Sequence, residues 1–272
     1  MFATFRIEMA KQWRRPRTYV ALAVTILIPV LVTVLLKTNA PKPSDGRFIY
    51  FATQTGLFVP VSALRIMSRF LLVILVALFA GDVIASEASW GNLRALLVRP
   101  IARTRLLGAK TASASLLAFI ATALIVITGL VVGGIAFGWH PLDIGGQLGP
   151  HLHFTEGELL RNLALSTVYV FWSLTSVIAL SVMVSTMTDS PAGAIFAGVG
   201  LYIVSQILDG ISSLGVVRYW LPSHYFDTWS DLFTRNGSTN GDLVRGALLP
   251  LLYIAVFGTV AWWWFRRKDV LS

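Results

Sequence analysis

Five windows of the sequence run nineteen residues or longer without a single Asp, Glu, Lys or Arg: 18–36, 111–139, 162–188, 190–208 and 246–265. About 20 apolar residues wound as an α-helix span the hydrocarbon core of a bilayer. There is no water in that core, so only helices and closed barrels satisfy their own backbone there. Only 13% of the 272 residues are charged, against roughly a quarter in a soluble domain, so the chain cannot screen this much apolar surface from water. The sequence predicts an all-α integral membrane protein folded as a single transmembrane domain over residues 1–272.

A sixth crossing is predicted at 63–84. Its uncharged part runs only from Phe70 to Gly81, so a full span must admit Arg65, Arg69 and Asp82. All three lie near an end, where charged side chains snorkel to the headgroups and avoid most of the ~2.5 to 3.5 kcal/mol cost at the bilayer centre. Asp189 alone separates the fourth and fifth windows, which predicts a tight hairpin. Thirteen basic residues then fall in the N-terminal segment, the 82–110 loop and the C-terminus, and nine in the longer loops opposite. Cytoplasmic loops are enriched in Lys and Arg, which predicts a multi-pass protein of the cell membrane with both termini cytoplasmic.

The basic N-terminus leads into an apolar run longer than a signal h-region and without a small-x-small cleavage site, so retention as the first span is expected. Residues 1–16 are predicted to form an amphipathic interfacial helix, with Phe2, Phe5, Met9 and Trp13 on one face and Glu8, Lys11, Arg14 and Arg15 on the other. The formal charge of +9 flanks apolar runs and forms no stripe, which favours membrane lipids over nucleic acid as partner. With no cysteine, disulfides, thiolate nucleophiles and Cys-ligated metals are excluded. No His-Glu-x-x-His, Gly-x-Ser-x-Gly or close carboxylate pair within a span points to catalysis. His151, His153 and Glu156 have spacing compatible with a metal on an extended strand or with a solvated loop, and the expectation is no metal site. Residues 209–245, with the aromatic stretch Arg218 to Phe226, are predicted to be an external segment at or dipping into the interface.

The loop after the second span, 85–110, is odd. Leu93, Leu96, Leu97 and Ile101 recur at helical spacing beside Arg94, Arg99, Arg103 and Arg105, describing an amphipathic helix broken at Pro100. An apolar ridge at the cytoplasmic face must be buried against lipid or a protein partner.

Here the sequence resembles the type-2 ATP-binding-cassette permeases, transmembrane subunits of exporters. The family's pattern after span two falls on Glu87, Gly91, Asn92, Leu93, Leu96, Leu97, Pro100, Arg103 and Lys110, with Asn92 in place of the usual Thr. The resemblance implies that 85–110 is a coupling helix seated in a cytoplasmic ATPase, Leu93, Leu96 and Leu97 supplying buried contact, Arg94, Arg99 and Arg103 charge complementarity, and Glu87 a fixed point. It implies two ATPase copies, which would bind the ATP and Mg, a second permease copy or paralogue, no cofactor in this chain, and a bacterial setting. The substrate would be a drug, antibiotic, peptide or lipid-like molecule. The alternative is a membrane anchor or assembly subunit of a surface machine. Gly108-Ala109-Lys110-Thr111 is no phosphate-binding loop, because Thr104 and Ala109 stand where glycines are required.

Other constellations carry alternatives. Arg65 and Arg69, four apart, could snorkel, pair with Asp209, or line a substrate pathway with it. Gly129, Gly133, Gly134, Gly138, Gly193, Ala194, Ala197 and Gly198 are spaced for close helix packing, within the chain or against a second protomer. Ser173, Ser176, Ser181 and Ser185 could bond along their own helix or face a polar pathway.

Overall fold

A computed structural model describes residues 2–39, 41, 47–89, 102–144, 152–234 and 240–268. An N-terminal helix α1 (Phe2–Trp13) leads into α2 (Pro16–Asn39), short helices α3 (Arg47–Gln54) and α4 (Val59–Ser68), and then α5 (Leu71–Ser89). After α6 (Arg103–Phe137) come β1 (Leu142–Ile144) and β2 (Leu152–Phe154), α7 (Glu156–Met187), α8 (Pro191–Asp209), two 3₁₀ segments, and α9 (Asn240–Arg267). Six of these helices, α2 and α5 to α9, are long and apolar enough to cross a membrane. The fold class read from the uncharged windows therefore holds.

The centre of the bundle is α5. From Leu71 to Gly81 it is apolar on all faces, as a helix enclosed by others must be, and 78% of its apolar window is buried against 17% for α9 and 22% for α8. It packs on α6, α7 and α8. The close approach to α8 runs over glycine: a Cβ on Gly81 would press on Ala194 and Ile195, and one on Gly198 would meet Ser181 and Ala77. Ala194 and Gly198 thus serve packing within the chain. So do Gly129 and Gly133, which receive Pro60 and Val59 of α4 against α6.

Several boundaries differ from the sequence reading. The second crossing starts at Leu71 and runs to Ser89, not 63–84, because the helix breaks at Arg69 and Phe70. Arg65 and Arg69 consequently sit on α4 and at the break, outside α5. Residues 47–68 fold back as a buried elbow, with Phe58 edge-on to Phe51 and Phe233. The fourth crossing starts at Glu156 rather than 162. Thr155 and Glu158 form a capping box there, each side chain bonding the other's backbone N–H, which satisfies two donors the helix start leaves open. The 139–161 loop contains a two-stranded antiparallel hairpin, with Asp143 opposite His153.

The segment after α8 coils as 3₁₀ turns over Ser212–Trp220 and Thr228–Phe233. It returns Trp229 and Phe233, both fully buried, to the core. At about 1.5 Å per residue, the 35 residues of α6 reach about 50 Å, well beyond a hydrocarbon core of about 30 Å. The helix is thus longer than one crossing needs, and α1 packs on it.

Candidate functional site

The ends of α5 and α6 that flank residues 90–102 converge on α1. Glu87, two residues before α5 ends, meets Lys110 of α6 at 2.7 Å. Lys110 Nζ also donates to Glu8 Oε2 of α1 at 2.7 Å, and Lys11 Nζ donates to Glu8 Oε1 at 3.0 Å and to Glu87 Oε1 at 3.2 Å. Glu8, Glu87 and Lys110 are all buried, while Lys11 forms the half-exposed lid. Five residues back from Glu87, Asp82 is buried between Arg15 and Arg17, and Arg15 also donates to Ser86. Three carboxylates and four cations thus tie α1 and the start of α2 to the bundle.

Burial pushes the Glu8 carboxyl up, but Lys110 and Lys11 outweigh it and hold the group below its usual value of 4.5. Burial likewise opposes the charge on Lys11, and Glu8 and Glu87 reverse that, raising it above 10.5. Both groups are therefore charged near neutral pH. The arrangement is a closed network in which each charge has an opposite neighbour, as burial demands.

This corrects part of the predicted orientation of the N-terminal helix, in which Met9 and Trp13 do pack on the core and Arg14 is exposed. Glu8, Lys11 and Arg15, assigned to the face turned from the apolar side and toward water, are turned onto the bundle. Periodicity alone sends charges to water, and the partners that draw them inward lie some 70 to 100 residues further on. Asp82 does not snorkel as an isolated charge, for the same reason.

Lys110 lies inside α6, which begins at Arg103. The helical arms leave 90–102 between them, narrower than the predicted 85–110 loop. Gly91, Asn92, Leu93, Arg94, Leu96, Leu97, Arg99 and Pro100 lie outside the described residues. Arg103 is engaged within the chain: its Nη1 donates to the carbonyls of Phe265, Arg266 and Lys268, at 3.4, 3.1 and 3.0 Å. These are C-terminal carbonyls that α9 cannot satisfy itself. Lys268 Nζ in turn bonds Thr186 O at 3.2 Å and Asp189 at 2.6 Å, joining α9 to the α7–α8 hairpin.

A family model described as "Protein of unknown function (DUF2705)" matches residues 26–271. The chain belongs to the DUF2705 family. The matched stretch contains Asp82, Glu87, Arg103 and Lys110 and begins within α2, after Glu8 and Lys11. No curated protein matches the sequence.

At the other end of this DUF2705 chain, of the alternatives open for Arg65 and Arg69, a pairing with Asp209 is not formed, and the partners are different. Arg69 binds Asp227, and Asp209 takes Arg218 at 3.5 Å and His224 at 2.5 Å. The Arg65 guanidinium lies 4.6 Å from the centre of the Phe48 ring. Arg69 and Asp209 nevertheless line one pocket. Among the described residues no group of three His, Asp or Glu side chains could hold a metal ion. His151 lies outside them.

The serines divide between roles. Ser176 donates to Ser173 O along α7, while Ser185 Oγ accepts from the backbone of Ile84 and Ala85 on α5. Sequence reading missed Glu8, Lys11 and Asp82 as site residues. The available signal was Asp82, an ionisable residue bordering an apolar span, which calls for an opposite charge nearby.

Proposed function

We propose that the chain is the transmembrane permease subunit of an ATP-driven exporter of the ATP-binding-cassette type, coupled to a separate cytoplasmic ATPase. The reading rests on the resemblance of residues 87–110 to the type-2 permeases. One geometric observation supports it: Glu87 and Lys110, first and last residues of that pattern, meet as a buried ion pair at 2.7 Å. In this reading the pair closes the base of a lever, and an ATPase would grip it through residues 90–102. A push there passes into α5 at the bundle's centre, into α6, through Glu8 into α1, and through Arg103 into α9. Interfaces with two discrete arrangements convert such a push into a change of state.

In this reading both termini and the lever face the cytoplasm. Two ATPase copies grip two permease copies, and ATP and Mg are bound by the ATPase alone. Leu93, Leu96 and Leu97 bury themselves in the ATPase cleft, and Arg94 and Arg99 flank them. Arg103 stays with α9 and joins the lever to the last span. The test is affinity purification of the full-length protein from its native cells. An ABC ATPase should co-purify and hydrolyse ATP in the particle, and Leu96→Asp with Leu97→Asp should abolish co-purification without changing the melting of the bundle. A particle with no ATPase, or one that keeps it in the double variant, contradicts the proposal.

A further inference from the structure

The charges at the far end of the bundle from the termini form a pocket of about 430 Å³, lined by Arg69, Asp209, Arg218, His224 and Asp227 together with Tyr202 and Gln206. Two guanidinium groups and two carboxylates line it as ion pairs, Arg69 with Asp227 and Arg218 with Asp209, with the His224 imidazole also on Asp209. Arg218 Nε and Asp227 Oδ1, one donor and one acceptor, are buried there without a hydrogen bond, the former 3.5 Å from Asp209.

Between α7, α8 and α9 lies a second cavity, about 390 Å³, lined by apolar side chains that include Val177, Leu180, Leu201, Val204 and Phe257. The two cavities share a wall. Tyr202 lines both, and Ser205 of the apolar cavity is hydrogen-bonded to Ser223 of the charged one at 2.7 Å.

We propose that the two cavities form one site for a zwitterionic amphiphile, its apolar chain between α7, α8 and α9 and its dipolar head among the charges. Each volume is within the range of small-ligand sites, and the division into a large apolar part with a few convergent polar groups is their usual chemistry. The head chemistry follows from the balance of sign. An anionic head would meet as many carboxylates as guanidinium groups, and so would a cationic one. A dipolar head replaces a guanidinium at one carboxylate with its ammonium, and replaces a carboxylate at an arginine with its phosphate, leaving each protein charge answered. The ion pairs it would open are partly exposed, with 58% of the Arg69 side chain accessible, and such pairs are weakly held. Parting them frees the unsatisfied donor on Arg218 and the unsatisfied acceptor on Asp227.

That the amphiphile is the transported substrate rests on the exporter proposal, whereas its binding does not. Native mass spectrometry of the purified full-length protein, with phosphatidylethanolamine and phosphatidylglycerol of matched chains as probes, reads binding directly. Zwitterionic lipid should be retained about tenfold or more over the anionic lipid, a difference one charge-assisted contact supplies. Asp209→Asn with Arg218→Gln should erase that preference, and Leu208→Trp, which fills the apolar cavity, should reduce retention of both lipids. If the double variant fails to fold, Arg69→Gln carries the same expectation at a more exposed position. Equal retention of both lipids by the natural protein, or a preference that survives the head-pocket variants, overturns the site. Selective retention in a particle that lacks an ATPase overturns the exporter reading and leaves the site standing.

Discussion

Replacing Lys110 with Met removes the cation on which both buried carboxylates converge. The Lys110 side chain is 4% exposed, and those of Glu8 and Glu87 are 7% exposed each. In Lys110→Met the two carboxylates face one another with only Lys11, 41% exposed, to answer them. Breaking a buried ion pair by removing one partner costs about 3 to 5 kcal/mol, because the remaining charge has lost water without compensation. The loss is capped by protonation, since an uncompensated carboxylate takes up a proton at about 1.4 kcal/mol per unit of pKa shift. At about 2 to 4 °C per kcal/mol for chains near this size, the melting temperature should fall by roughly 6 to 20 °C at pH 7.5. The gap should narrow at pH 5, where the carboxylates protonate more readily. Thermal unfolding in detergent, followed by tryptophan fluorescence, measures both. The triple variant Glu8→Gln, Glu87→Gln, Lys110→Met should recover most of the loss, as neutral replacement of a whole buried network commonly does. A Lys110→Met protein that melts within about 2 °C of the natural one at both pH values would refute the reasoning.

The depressed Glu8 pKa gives stability that is fully present above its ordinary value of 4.5 and is lost as pH falls through the lower folded value. The raised Lys11 pKa gives stability present below 10.5 and lost as pH rises through the higher folded value. Melting curves should therefore show Glu8→Gln flattening the acid limb and Lys11→Met the alkaline limb, and identical limbs in variant and parent would contradict the network. Gly133→Ala places a Cβ against the Gly56 backbone and Val59 and should cost about 1 to 3 kcal/mol. Gly108→Ala, in the same helix with open space around it, should be neutral or gain up to about 1 kcal/mol, so equal effects would contradict the close α4–α6 contact. Arg103→Gln removes the donor to three carbonyls at the end of α9, and hydrogen exchange at residues 265–268 should accelerate about tenfold or more. Unchanged exchange there would remove Arg103 from the link between lever and last span.

The crossings were legible because hydrocarbon imposes a length and a composition that few sequences meet by chance. Boundaries failed where local signals compete. The window 162–188 begins late because Glu156, Glu158 and Arg161 end the uncharged run, although Thr155 and Glu158 already spell the capping box that starts the helix. The second span was placed early because Phe70 to Gly81 supplied the apolar run, and the break at Arg69 carries no proline or glycine to announce it. The site was half legible. Glu87 and Lys110 were singled out by a motif, but their meeting depends on α5 and α6 lying side by side. Glu8 was read as a solvated residue since the partner that buries it, Lys110, is 102 positions distant, and helical periodicity reports only on its own helix.

The account turns on what touches residues 90–102. A photo-crosslinking amino acid placed at Leu97 of the full-length protein, activated in native membranes and resolved by mass spectrometry, tests that most directly. The prediction is a crosslink to an ABC ATPase whose yield changes when ATP is trapped. Crosslinks to lipid alone, or to water with no protein captured, would contradict it.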